Sequence, residues 1–415
     1  MTFTNDICNY IRSGETTSKN LGLEIEHFVV DDNGDQISFE LISSLIEEIG
    51  NNLGASLYYT DGYVVGYNTD EYCITLEPSC QFEISINPYY SIDKIRQVYD
   101  EFYKLWKNIF DEYGYHIETY GNLPKVELGI IKPDDIPLSP KKRYKYMDKY
   151  FMKSGKYGKY MMRASASTQI SVDYSSEKDM IRKLQVLEKI SPLLMIIMES
   201  KSDIDSILDG ERKKPHLHRI QEWEDLDSAR TGFISGSLDK NFGYNSMSSI
   251  IYNTPLILLT DNSKTVYVGD KSAKDLIKDK TIDNKTLTDD RKNQLIEHFI
   301  SMGFFHFRVK KYIEIRVADS VPINRALGYV ALIKGLIYSE ENLEVLEKEF
   351  ELVDSISEIE AAVEEIEKYG FDAIIYNNKN TRELVDFLIE LSKNGLDNQE
   401  KEYVDNVRSF WSYSQ

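Results

Sequence analysis

Glutamates recur at alternating positions in three separated segments whose other residues are apolar. Glu24 and Glu26 alternate with Leu23 and Ile25, Glu77 and Glu83 flank Gln81, and Glu314 stands two residues before Arg316 in Tyr-Ile-Glu-Ile-Arg. Residues two apart on a strand point the same way, so each segment would carry acid on one face and hydrocarbon on the other. One such pair reads equally well as the wet face of a half-exposed strand. Three together favour a lined cavity, where the repulsion between like charges calls for compensation. Oxygen-liganded divalent cations, Mg²⁺ above all, are the natural candidates.

Basic and polar residues show a matching pattern. Arg163, Ser165, Ser167, Gln169, Ser171 and Asp173 would share one face of a strand over 161–174. Arg219, Trp223 and Arg230 fall in a loop-like stretch, and Arg308, Lys310 and Arg316 lie at even spacing in a late strand or hairpin over 304–317. Guanidinium groups fork onto carboxylates and phosphates. The chain has neither GxxxxGK[ST] nor GxGxxG, so a bound nucleotide would be held by side chains and metal rather than by a glycine-rich cradle. The pair His216 and His218 reads as incidental in a Lys-rich loop.

The elements that must position these residues follow from periodicity and caps. Residues 5–12, 39–49, 91–113, 143–153 and 287–302 read as helices, and a helix runs from Ser175 to about Lys201. Residues 22–30 lead into Asp31-Asp32-Asn33-Gly34 and read as a β-hairpin with the stretch beyond it. Strands are expected at 62–66 and 72–87, with a pair at 255–259 and 265–268, and a loop at 155–159. From Pro322 to Trp411 the chain is largely helical and Glu-rich. There is no regular βαβ alternation, so the fold class is α+β: a curved antiparallel sheet, funnel or half-barrel, with surrounding helices. One catalytic domain over 1–415 is expected, with 340–415 a helical extension packed on it.

Composition narrows the function classes. The 415 residues carry a formal net charge of −20, with a pI near 4.9, which argues against nucleic acid and anionic membranes but not against a nucleotide held by a few converging cations. Three cysteines, Cys8, Cys73 and Cys80, make no disulfide framework. No signal peptide or membrane-length apolar run is visible, and a soluble cytoplasmic protein is the expectation.

In these segments, in order, the chain resembles the plant-type glutamate–cysteine ligase family. Gly-Leu-Glu-Ile-Glu-His-Phe is similar to its opening GxExE strand, and Thr-Leu-Glu-Pro-Ser-Cys-Gln-Phe-Glu-Ile-Ser to its LEPGGQFELS. Arg-Tyr-Lys-Tyr-Met-Asp-Lys-Tyr-Phe and Thr-Gln-Ile-Ser-Val-Asp-Tyr-Ser-Ser-Glu resemble its central helix and strand. Trp223 through Gly232 is similar to W-x-D-x-D-x-x-R-T-G, and Arg308-Val309-Lys310 with Tyr312 through Asp319 resembles VRLK…YLEMRGAD. The resemblance implies a glutamine-synthetase-like fold and ATP-dependent activation of glutamate's γ-carboxylate as an acyl phosphate, followed by attack of an amine, cysteine by resemblance. It assigns Glu24, Glu26, Glu77, Glu83 and Glu314 to Mg²⁺, and Arg308, Lys310 and Arg316 to the ATP phosphates. Arg308, Arg316 and Arg163 would be catalytic. Gln169, Thr168, Arg219, Trp223 and Arg230 would surround small amino-acid substrates. Departures stand at Ser79-Cys80 (Gly-Gly in the family), Ala166 (Cys), Glu199 (Asn) and His306 (an acid). They leave open another amine acceptor, an ATP:guanido or amine phosphotransferase on the same scaffold, or a catalytically silent subunit.

Overall fold

A computed structural model describes residues 3–200, 207–208, 211–261 and 264–408. Nine strands form one sheet: β1 (Leu21–Asp31), β2 (Ser56–Thr60), β3 (Tyr63–Asn68), β4 (Tyr72–Leu76), β5 (Phe82–Tyr89), β6 (Tyr115–Glu118), β7 (Ser167–Val172), β8 (Phe307–Val309) and β9 (Ile313–Asp319). The order is β8-β9-β7-β1-β5-β4-β3-β2, with β6 on the far half of β1, and every pairing is antiparallel. Strands β8 and β2, at the two ends of the order, do not pair with each other, so the sheet is open and does not close into a barrel.

β1 is central, and its register decides which side chains meet. Glu26 pairs across with Glu83, and Glu24 lies opposite Ser85 on one side and Gln169 on the other. Leu23, Ile25, Phe82, Ile84 and Ile170 point to the opposite face and are fully or almost fully buried. Against that face lies the helix Ile92–Glu112, whose Phe102, Trp106 and Phe110 rings surround Phe82 at centroid distances of 5.8, 4.7 and 5.5 Å. Each aromatic side chain removed from water contributes about 1.5–3 kcal/mol. His27 shares this apolar face. Burial pushes its imidazole down to about 4, and its ring nitrogens bond Phe82 O and Tyr99 Oη, both at 2.9 Å. The almost wholly buried helix Ile323–Ile337 packs beside this layer, and helices Glu340–Glu349, Ile356–Tyr369, Thr381–Asn394 and Lys401–Asp405 complete the described C-terminal part.

Three expectations are corrected. The chain does turn back on β1, with Asp31 N donating to Asp35 O, Ile37 N to Val29 O and one antiparallel bridge joining Val30 to Gln36, but no second strand follows: Ser38 at once caps the helix Phe39–Asn52. Residues 72–87 are two strands, because Pro78 cannot donate to a ladder and Glu77–Gln81 closes a turn. Residues 158–164 form a helix rather than the start of a strand. Tyr160, Met161, Met162 and Ala164 are all buried, a pattern no period-2 strand packed on one side produces. The expected helix limits at Lys201 and Trp411 lie outside the described residues.

Cys80 holds φ +66° in the turn between β4 and β5, where a side chain is strained and glycine is not. Cys80→Val is therefore expected to destabilise the fold by on the order of 1–2 kcal/mol relative to Cys80→Gly, read as a lower urea midpoint at unchanged slope. Equal midpoints for the two variants would refute strain at this turn.

Candidate active site

The polar face of the sheet opens into a cavity of about 400 Å³. Glu24 and Glu26 reach it from β1, Glu77 from the turn, Glu83 from β5, Gln169 from β7, Arg308 and Lys310 from the β8–β9 hairpin, and Glu314 and Arg316 from β9. Helices Lys142–Ser154 and Gly158–Ala164 cover it with Arg143, Tyr144, Met147, Met161 and Met162, and Trp223 and Phe304 complete the wall.

Charge is divided within this cavity. On one side, Glu314 is enclosed by Lys310 at 2.6 Å, Arg308 at 3.0 Å and Arg316 at 3.1 Å. Burial opposes its ionisation, but the three cations outweigh burial and hold the carboxyl well below the usual range. Arg316 also donates to Gln169 Oε1 at 2.5 Å, and burial beside Arg316 pushes Arg308 down to about 10. On the other side, Glu24, Glu26, Glu77 and Glu83 make no ion pair among the described residues. Burial, then the charge of Glu77, raises Glu26 to about 7. This holds although Ser167 N donates to it at 2.7 Å, Ser167 Oγ at 3.0 Å and Gln169 Nε2 at 3.3 Å. Burial and Glu314 raise Glu24, while burial with Glu77, Glu24 and Glu26 raises Glu83 well above an ordinary carboxylate.

Glu24, Glu26, Glu77, Glu83, Gln169, Trp223, Arg308, Lys310, Glu314 and Arg316 are thus brought together. Glu314 sits among the cations rather than with the other acids. Arg219 lies just behind: it is buried, donates weakly to Arg316 O at 3.3 and 3.4 Å, and stacks on Trp223 at 6.0 Å.

Three expected site residues lie elsewhere. Arg163, on a helix and not on β7, bonds Asp148 at 2.9 Å and Ile136 O at 2.9 Å, tying the covering helices together. Thr168 is on the apolar face of β7 and fully buried, because alternation sends it away from Gln169. Arg230 is fully buried against Asp227 at 2.7 Å and Tyr150 Oη at 2.9 Å, pinning its loop to the helix Lys142–Ser154. Sequence reasoning missed Arg143, Tyr144 and Met147, whose spacing of one and four places them on one helical face, and also Met161, Met162 and Phe304.

A larger cavity, about 680 Å³, lies between residues 228–239 and 354–367. Its wall has six carboxylates to one lysine, which suits no phosphate.

A carboxylate face set against a guanidinium wall, on an open antiparallel sheet roofed by helices, is the make-up of an ATP-dependent ligase. Residues 20–409 match Glutamate-cysteine ligase family 2 (GCS2), and the chain belongs to that family. Glutamate–cysteine ligase B, chloroplastic, of Oryza sativa subsp. japonica is 26% identical over 400 residues, covering 94% of this chain and 77% of the relative. The chloroplastic enzyme of Medicago truncatula is 27% identical over 347 residues, covering 82% of this chain and 65% of the relative. A crystal structure of glutamate–cysteine ligase from Francisella tularensis in complex with AMP has a TM-score of 0.52 at 13% identity, covering 97% of this chain and 84% of that one, and so shares the fold. The expectation of a cytoplasmic protein is corrected: the rice, Medicago and Arabidopsis relatives are all named chloroplastic. No helix among the described residues is long and apolar enough to cross a membrane.

The raised carboxyls carry a pH signature. Glu26 has a folded value of about 7 against 4.5 for an ordinary glutamate. The native state therefore holds a proton that the unfolded chain has lost, and the ligand-free fold loses stability as pH rises through 7. Glu26→Gln is expected to stabilise the ligand-free protein at pH 8 by on the order of 1–3 kcal/mol, with the gain vanishing toward pH 4.5. Urea unfolding at pH 5 and pH 8 measures the difference. A gain that does not depend on pH would show that Glu26 ionises freely in the fold.

Proposed function

We propose that this protein uses ATP to activate the γ-carboxylate of glutamate and joins it to the amino group of cysteine. The observation that carries the reading is the division of charge across one cavity, four unpaired acids facing three clustered cations. A carboxylate is a poor electrophile with a poor leaving group. Transfer of the γ-phosphoryl group to its oxygen makes an acyl phosphate, and the amine then displaces phosphate to form the amide. Such transfer depends on positioning and charge stabilisation more than on covalent help. Arg308, Lys310 and Arg316 bind the phosphates, and Glu314 holds those three cations in place. Gln169, oriented through Arg316 and Ser167, meets the substrate carboxylate. Met147, Met161, Met162, Trp223 and Phe304 form the apolar part of the wall and keep water from the acyl phosphate.

The acid face fits Mg²⁺. Glu24, Glu26, Glu77 and Glu83 offer hard oxygen donors whose burial and mutual repulsion a divalent cation relieves. Among the described residues no three His, Cys, Asp or Glu side chains already surround one point. In Mg²⁺ sites of nucleotide enzymes one or two carboxylates share the ion with substrate phosphates and water. When bound, the ion would neutralise phosphate charge.

Mass spectrometry of products from ATP, glutamate and a panel of amines tests the reading, with γ-glutamylcysteine and ADP expected. A stable phosphorylated amine in their place would transfer the protein to the phosphotransferases. Arg316→Ala is expected to cut kcat/KM about 100-fold or more, the scale of losing a charge-stabilising donor. Glu24→Gln and Glu77→Gln are expected to abolish turnover at unchanged far-UV circular dichroism. Full activity in all three would end the site assignment.

A further inference from the structure

Lys141 is the last residue before the helix Lys142–Ser154, and it is buried behind the acid side of the cavity without lining it. Its Nζ donates to Leu76 O at 2.5 Å, lies 3.5 Å from Tyr144 Oη and sits 4.9 Å from the centre of that ring. No carboxylate pairs with it among the described residues; the acid whose charge it feels most is Glu77, then Glu83. Leu76 O belongs to the peptide that carries Glu77. The rest of the Glu77 main chain is fixed as well, with Glu77 N donating to Gln81 O at 2.9 Å and Cys80 N to Glu77 O at 3.1 Å. Ser139 N donates to Pro78 O at 2.8 Å, so the entry to the covering helix and the turn bearing Glu77 are clasped together. Hydrogen bonding alone does not account for a lysine here. Tyr144 Oη already donates to Leu76 O at 3.2 Å, and a buried ammonium without a carboxylate partner is costly. Burial pushes that ammonium down to about 8, and the charges of Glu77 and Glu83 are what oppose the fall.

We propose that Lys141 is a positioning residue for Glu77, pinning the Leu76–Glu77 peptide and setting a fixed positive charge behind it, so that the Glu77 carboxylate is presented to the divalent cation that accompanies the phosphates. This rests on the nucleotide and Mg²⁺ reading above and deepens it. Lys141 touches neither substrate nor cation. It acts through Glu77, as the outer partners of metal-binding carboxylates do.

The test titrates wild type, Lys141→Met and Lys141→Arg with a non-hydrolysable ATP analogue over a series of Mg²⁺ concentrations by calorimetry, and follows ligand-free unfolding by heat. Methionine keeps the aliphatic stem but supplies neither donor nor charge, whereas arginine keeps both. In Lys141→Met the Mg²⁺ concentration that half-restores analogue affinity is expected to rise about tenfold, the scale of losing an outer partner. Analogue binding without Mg²⁺ should stay within about twofold, and Lys141→Arg should recover most of the Mg²⁺ response. The ligand-free thermal midpoint should hold or rise in Lys141→Met, since Tyr144 still serves Leu76 O and no ammonium is buried. A purely structural lysine would instead lower that midpoint and weaken the analogue equally with and without Mg²⁺, a result that overturns this assignment alone. An unchanged Mg²⁺ requirement in Lys141→Met overturns it too. A wild-type protein whose analogue affinity ignores Mg²⁺ overturns the metal reading and this assignment with it.

Discussion

Burying a carboxylate is costly unless something neutralises it, and β1 buries two beside a third. The antiparallel register sets Glu26 directly opposite Glu83, and strand alternation puts Glu24 on the same face. Neither residue can turn away, because the other face of both strands is packed against the helix Ile92–Glu112. That apolar layer, with several fully buried aromatic and branched side chains at about 1.5–3 kcal/mol each, offsets the electrostatic cost and keeps the acids in place. Neutralisation must come from protons or from bound cations. The raised carboxyls of the ligand-free site show the first, and the proposed substrate complex supplies the second.

The division of charge matters as much as its amount. Had Arg308, Lys310 and Arg316 paired with Glu24, Glu26 and Glu83, the cavity would be self-neutralised and indifferent to ligands. Instead one acid, Glu314, absorbs three cations and leaves that corner with net positive charge, while the remaining acids have no ion pair of their own among the described residues and feel these cations only at longer range. A polyphosphate carrying divalent cations matches both halves at once. A lone phosphate matches only one. The separation follows from the β8–β9 hairpin, where Arg308 is registered against Glu314, and from β7, which stands between that hairpin and β1.

The acid strands were legible because period 2 is a local signal. Glu24 and Glu26, and likewise Glu314 and Arg316, need only neighbouring residues to declare their faces. Arg163 was misplaced because its alternation with Ala164 and Ala166 imitated a strand, while the adjacent buried pair Met161 and Met162 marked a helix. Arg230 drew attention by residue type, yet a guanidinium satisfied by Asp227 and Tyr150 is a structural clasp, and only tertiary contacts reveal that. Thr168 failed on parity: as neighbour to a cavity residue on a strand it had to face the core. Arg143 was missed for the reverse reason, since nothing in its own turn of helix announces that the turn roofs a distant sheet. The strand break at Pro78 was visible in proline's missing N–H.

The departures from the family pattern bear on substrate choice, and their positions decide how much. Ser79 and Cys80 sit in the turn below the cavity, where Ser79 N donates to Gln81 Oε1 at 2.8 Å and Gln81 ties the turn to Ser165 O at 2.9 Å. Ala166 is fully buried in a small core cluster with Phe28, Leu123 and Tyr160. Glu199 accepts from Leu217 N at 2.6 Å and bonds His216 at 2.9 Å. His306 is buried against Phe233 at 4.8 Å and accepts Arg316 N through its own carbonyl. None of the five lines the 400 Å³ cavity, whose wall is built from other residues. A substitution that leaves the lining intact alters how firmly the lining is held before it alters what the lining recognises. The departures therefore weigh little against cysteine as the acceptor, and the apolar quarter formed by Met147, Met161, Met162, Trp223 and Phe304 favours a small, polarisable side chain over a charged one.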